Sequence, residues 1–146
     1  MGALDLARLS LDGLSVGDAF GERFFVAPPV LQQLIAQRAV PASPWKWTDD
    51  TAMALEVVAA LREEGRIDAD ALARGFGRRY GADPHRGYGR AAHEILAELR
   101  YGADWRVAAG AVFGGQGSLG NGGAMRVAPL GAFFSSESDA VVVEQA

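Results

Sequence analysis

The chain has 146 residues, a formal net charge of −4, 49% hydrophobic and 22% charged residues, and no cysteine. That is one ordinary domain of globular composition, long enough to bury a core. The lack of cysteine excludes disulfides, thiolate metal sites and cysteine nucleophiles, and the acidic balance argues against a nucleic-acid partner, which needs clustered Lys and Arg.

The N-terminal stretch MGALDLARLSLDGLSVGDAF has no basic segment followed by a long apolar core, so no signal peptide is expected. No run of about 18 apolar residues occurs, so no membrane span or membrane partner is expected either, and a cytoplasmic location is the default. Ala3 to Phe20 is rich in Ala and Leu and predicts a helix. Gly13, Gly17 and Gly21 recur at every fourth position and would bare one face of it to a neighbouring backbone or a ligand. Pro28-Pro29 opens a short helix to Arg38, and Pro41 and Pro44 then impose a loop.

From Thr48 the pattern is a clean helical stripe at positions 53, 54, 57, 58 and 61, ended by Gly65. Asp68 caps the next helix, whose Leu72, Phe76 and Tyr80 are spaced by four. DPHRGYG, 83–89, is a turn. Ala91 to Tyr101 is helical with Ile95, Leu96 and Leu99 inward, and Trp105 to Phe113 is a shorter helix. His85 and His93 read as surface or turn residues. A glycine-rich loop covers 114–123. A short helix starts near Ala124 and ends near Pro129, and SSESDAVVVEQA begins another. Alternating period-2 segments are nearly absent, so the expected class is all-α, as a single domain over 1–146.

Two stretches ask for more than packing. Thr48-Asp49-Asp50 opens a helix behind Trp45 and Trp47. Thr is a good N-cap, worth about 1 kcal/mol, and first-turn carboxylates interact favourably with the helix dipole. The same oxygens suit a hard cation such as Mg²⁺ or Ca²⁺, with further ligands drawn from elsewhere. The second stretch is FGGQGSLGNGGAMRVAPLG, 113–131, where six of the ten residues from 114 to 123 are glycine. That density lets successive backbone N–H groups converge on an anion. Ser118 and Asn121 add side-chain hydrogen bonds, and Arg126 is able to pair with a phosphate or carboxylate. Gly115, Gly117 and Gly120 also match G-x-G-x-x-G, with Asp139 downstream, but the preceding WRVAAGAVF is weak as a strand and no βαβ alternation supports a dinucleotide fold.

Taken together, GLSVGDAFGE (13–22), WTDDTAMAL (47–55) and GSLGNGGAMRVAPLG (117–131), with RGYG (86–89), resemble the ADP-ribosylglycohydrolase family, the group that includes dinitrogenase reductase-activating glycohydrolase. The resemblance implies a compact all-α fold around a binuclear Mg²⁺ centre. It also implies hydrolysis of an ADP-ribosyl bond on a protein or small-molecule substrate. Thr48, Asp49 and Asp50 would be metal ligands, with Asp49 and Asp50 also catalytic and Glu22 the third catalytic candidate. Asp18 lies in the GDAxG element, beside the metal. Gly117, Ser118, Gly120, Asn121 and Gly122 would form the ADP-ribose loop with Phe113 beside it, and Asp18, Met125 and Arg126 complete the substrate-binding set.

The pattern departs at three points. The family's later D-x-D-[ST] ligand element is absent from these residues, so the chain reads as the N-terminal half of a truncated domain, to be completed by a C-terminal segment or a second copy. Glu22 directly follows Gly21, where some members place the acid later. Leu119 stands where some relatives have an aromatic. The alternative is a non-catalytic relative that binds ADP-ribose or a nucleotide without a complete metal site.

Overall fold

The computed structural model describes residues 1–146 and contains eight α-helices and no strand. They are α1 (Ala3–Glu22), α2 (Pro28–Gln37), α3 (Asp49–Glu64), α4 (Ala69–Ala82), α5 (Arg90–Arg100), α6 (Trp105–Ala111), α7 (Ala128–Phe133) and α8 (Asp139–Gln145). Short 3-10 turns at Val112–Gly115 and Ala124–Arg126 flank the glycine loop. The all-α expectation holds. The segment before the glycine loop is helical, so the G-x-G-x-x-G match has no strand to follow.

Helix α3 is the axis of the molecule. Its predicted stripe, Met53, Ala54, Val57, Val58 and Leu61, is buried, and Thr51 and Ala52 are buried beside it. It packs on α1, α4 and α7, so its first half is enclosed on most sides. The core gathers Phe76 from α4, Tyr88 from the following turn, Leu96 and Leu99 from α5, Ala108 from α6, and Leu130 and Phe134 around α7. Gly65 ends α3 in the left-handed conformation, with φ 66° and its N–H donated to Leu61 O, as a C-terminal glycine should. Asp68 caps α4 by accepting the Ala71 N–H at 2.8 Å.

One glycine sets a helix spacing. A Cβ on Gly77 would stand 2.6 Å from the Leu99 carbonyl carbon, so α4 and α5 meet backbone to backbone at that point. The glycines of α1 behave otherwise. Nothing lies within 4 Å of a Cβ placed at Gly13, Gly17 or Gly21, so that face is open and hosts no close contact.

Three boundary expectations are corrected. Pro129 does not end a helix but sits in the first turn of α7, where a missing N–H costs nothing. Helix α6 stops at Ala111 rather than Phe113, because Val112 is extended at ψ 146° and Phe113 then turns left-handed at φ 53°. His93 is no turn residue: it lies in α5, half-buried, with its Nδ1 2.9 Å from Tyr80 Oη. His85 is exposed in the turn, as expected.

Candidate functional site

The start of α3 is fixed from another helix. Thr48 occupies the N-cap position, but its side chain caps nothing within α3, which corrects the expectation that it caps its own helix. The carboxylate of Asp18, from α1, does that job. It accepts the Thr48 N–H at 2.7 Å and the Thr48 hydroxyl at 2.6 Å. It also accepts the Thr51 N–H at 3.2 Å and the Thr51 hydroxyl at 2.6 Å. Four donors converge on one ionisable group, and hydroxyl–carboxylate distances of this length mark charge-assisted bonds. Asp18 thereby locks the orientation of the two carboxylates that follow Thr48.

Those carboxylates sit close together and half-buried. Burial is the main cause that raises the pKa of Asp49, and the Asp18 charge adds to it. Burial, then Asp18, then Asp49 push Asp50 up to about 6. A cluster of negative charge with this much self-repulsion is a favourable place for a cation. In kind, the donors fit a hard divalent ion: one hydroxyl oxygen and two carboxylates, with no sulfur or imidazole among them. In number they do not enclose one, since no three His, Asp or Glu side chains converge on a point able to hold a metal.

The turn after α4 walls this cluster. Gly87, at φ +84°, faces Thr48 and Asp49, where a Cβ would be 3.6 Å from Asp49 Oδ1 and from Thr48 Cβ. Arg86 reaches back over the tryptophan before Thr48. Its guanidinium carbon lies 3.8 Å from the Trp47 ring centroid, and Nη1 donates to Trp47 O at 3.2 Å. Its Nε pairs with Asp83 Oδ2 at 2.7 Å, although the N–H is not aligned on that oxygen and makes no hydrogen bond. Tyr88 is buried, and first burial and then the charge of Asp49 raise its pKa.

A cavity of about 860 Å³ runs from Asp49 to the glycine loop. Phe113, Gly117, Ser118, Gly120, Asn121, Gly122, Met125 and Arg126 all line it, and α4 and α5 contribute Leu72, Phe76, Ile95 and Leu96. Thr48, Asp50 and Asp18 stand behind Asp49 and do not line it. Glu22 is exposed at the end of α1, makes no side-chain hydrogen bond and does not line the cavity. The loop holds its shape through left-handed Gly114, Gly115 and Gly117, and through the Gly120 N–H donated to Ser118 Oγ at 2.9 Å. Phe113 is a bulky residue in the left-handed region, exposed at the cavity mouth, a conformation that costs about 1–3 kcal/mol and tends to sit at functional sites.

Local sequence signals did not reveal the roles of Asp18, Arg86 or the Tyr80–His93 pair. Asp18 lies 30 residues from Thr48, and Arg86 39 residues from Trp47. No short-range pattern encodes such pairings.

The family model described as ADP-ribosylglycohydrolase matches residues 2–146. ADP-ribosylhydrolase ARH3 of Homo sapiens is 34% identical over 152 residues, covering 94% of this chain and 42% of that protein. The Danio rerio protein of the same name is 36% identical over 141 residues, covering 90% and 38%. That of Gallus gallus is 40% identical over 95 residues, covering 64% and 26%. The chain thus spans at most 42% of the length of these relatives.

Proposed function

Because the chain belongs to the ADP-ribosylglycohydrolase family, we propose that residues 1–146 form one unit of a Mg²⁺-dependent hydrolase that cleaves the glycosidic bond of an ADP-ribosyl group. The substrate is an ADP-ribosylated protein or a small ADP-ribosyl compound. The observation that carries this reading is the single cavity with the Asp49 carboxylate at one end and the glycine loop, with Phe113, at the other. One end suits the chemistry of an anomeric centre. The other suits a phosphate and an aromatic base.

Cleavage at an anomeric carbon passes through an oxocarbenium-like state, positive at the ring. Asp49 places a carboxylate at the end of the cavity, where it is suited to orient the attacking water and accept its proton, and Asp50 adds negative charge behind it. Thr48, Asp49 and Asp50 would hold the metal. When bound, Mg²⁺ supplies Lewis-acid activation of water. Asp18 keeps the carboxylates in one orientation, because its four hydrogen bonds fix the first turn of α3. The glycine loop around Gly117–Gly122 would receive the diphosphate through backbone N–H groups, with Ser118 and Asn121 as side-chain partners. Phe113 offers a ring face for the adenine.

The test is release of free ADP-ribose in Mg²⁺ by the complete protein and by Asp49→Ala and Asp50→Ala. Each variant is expected to keep its helical spectrum and lose turnover by about a hundredfold or more. Undiminished release by both folded variants sinks the hydrolase reading. Binding of ADP-ribose with no Mg²⁺-dependent release by the unmodified protein would identify a binding module instead.

A further inference from the structure

The Tyr80–His93 hydrogen bond takes no part in the mechanism above, yet it is one step removed from Asp49. Tyr80 comes from α4 and His93 from α5, and both are half-buried. Tyr80 Oη stands 2.9 Å from His93 Nδ1. The ring of Tyr88 meets both edge-on, with centroids 5.3 Å from Tyr80 and 5.9 Å from His93. The Tyr80 and His93 rings are themselves 5.6 Å apart. Three rings from α4, the following turn and α5 thus form one cluster, and among them only Tyr88 is fully buried.

What this cluster holds is the turn that walls Asp49. Tyr88 lies between Gly87 and Gly89, and glycine leaves a backbone with little preference of its own. Gly87 faces the start of α3, where a Cβ would stand 3.6 Å from Asp49 Oδ1 and 3.9 Å from Thr48 Cγ2. A turn this permissive keeps one position only if side chains fix it. Arg86 does so on one side, through Trp47. Tyr88 does so on the other, and the rings it packs on are tied together by the Tyr80–His93 bond. Electrostatics reach the same residue: burial is the main cause that raises the pKa of Asp49, and the charge of His93 is among the influences that lower it. Two apolar rings at 80 and 93 would pack without the desolvation that a hydroxyl and an imidazole cost. The hydrogen bond adds what apolar packing does not, a fixed rotation of both rings.

We propose that His93 is a positioning residue of this site: bonded to Tyr80, it anchors Tyr88 and so holds the 86–89 turn against Thr48 and Asp49, which keeps the Asp49 carboxylate in one orientation toward the ligand. This rests on the reading that Asp49 stands at the reacting end of the cavity. It gives that end two supports from different parts of the chain. Asp18 of α1 fixes the first turn of α3 from behind, and the Tyr80–His93–Tyr88 cluster fixes the wall in front of it. His93 does not line the cavity, so it acts through Tyr88 and the turn and not on the ligand. Its loss therefore falls on turnover and leaves substrate binding in place.

The experiment measures release of ADP-ribose from ADP-ribosylated protein in Mg²⁺, by the complete protein and by His93→Phe, His93→Asn and Tyr80→Phe. Alongside it, NMR in EDTA follows the contact between Gly87 Hα and the Thr48 methyl. His93→Phe keeps a ring and removes the hydrogen bond. Its kcat is expected to fall on the order of tenfold, with KM changed by less than about twofold, and the Gly87–Thr48 contact should weaken. Tyr80→Phe, which removes only a hydroxyl, should behave alike. His93→Asn sets a polar atom close to the place of Nδ1 and should recover most of kcat. Undiminished kcat in both Phe variants overturns the proposal and leaves the hydrolase reading standing. A loss carried by KM also overturns it, as does one that follows a fall in melting temperature and is not recovered in His93→Asn, because the pair would then serve folding alone. No release of ADP-ribose by the unmodified protein removes the hydrolase reading. The Gly87–Thr48 contact then decides: weakening in the Phe variants keeps the positioning pair, and persistence overturns it.

Discussion

Asp50 is the residue whose environment most alters its chemistry. Burial, Asp18 and Asp49 together raise its pKa from an ordinary 3.8 to about 6. Between those two values the folded state holds a proton that the unfolded state has released. The unfolding free energy must then fall as pH rises from about 4 to about 6. Asp50→Asn removes this titration, so its stability should change less over that window and exceed that of the unmodified protein above pH 6. Thermal melts in EDTA from pH 4 to 7 check this, and parallel curves for the two proteins would refute it. Arg126 is the complementary case, a half-buried positive charge with no carboxylate partner, and burial likewise opposes its ionisation.

At the scale of elements, the decisive contact is the Asp18 carboxylate from α1 on the first turn of α3. It substitutes for the side-chain cap that Thr48 does not make, and joins two helices through four hydrogen bonds. Asp18→Ala should destabilise the protein by about 2–4 kcal/mol, the cost of a lost cap plus charge-assisted bonds to Thr48 and Thr51. It should also speed hydrogen exchange at the Thr51 and Ala52 amides. Denaturant titration and exchange of those amides give the readout; a loss below about 0.5 kcal/mol, typical of a plain surface change, would mean that Asp18 does not hold α3. The α4–α5 pair shows a different solution, in which Gly77 permits backbone contact with Leu99. Both contacts converge on the site, one behind Asp49 and the other behind the cavity wall of Leu96 and Leu99.

For the molecule as a whole, the burial is uneven. The core around α3 is well formed, yet only 21 of 146 residues are buried. Large apolar side chains stand in solvent on several elements: Leu9 at 59%, Val16 at 60%, Phe25 at 86%, Ile35 at 61%, Val107 at 68% and Val143 at 76% exposure. Scattered exposed apolar residues are ordinary, but this many on one small chain favours association. The isolated chain is expected to self-associate as concentration rises and to bind a hydrophobic dye in its folded state. Sedimentation velocity over a tenfold or wider concentration range tests this, and a single monomeric species throughout would contradict it. No helix is long and apolar enough to cross a membrane.

Much of this was written in local pattern. The stripe at 53, 54, 57, 58 and 61 gave the central helix and its buried face, because helical periodicity depends only on neighbours three and four apart. Asp68 and Gly65 marked helix ends by their own backbone preferences. The clustering of glycine with Ser118, Asn121 and Arg126 marked the loop, and the acidic pair at 49 and 50 marked the other half of the site. Pro129 was misread because the same fixed φ serves to end one helix or to begin another. What only the tertiary structure decided is which distant residues meet. That Asp18 caps α3, that Arg86 clamps Trp47, that Glu22 does not line the cavity and that Arg126 lies against Phe76 without a carboxylate partner are outcomes of helix packing. Each depends on crossing angles and depths set by the whole core, and no window of the sequence contains both partners.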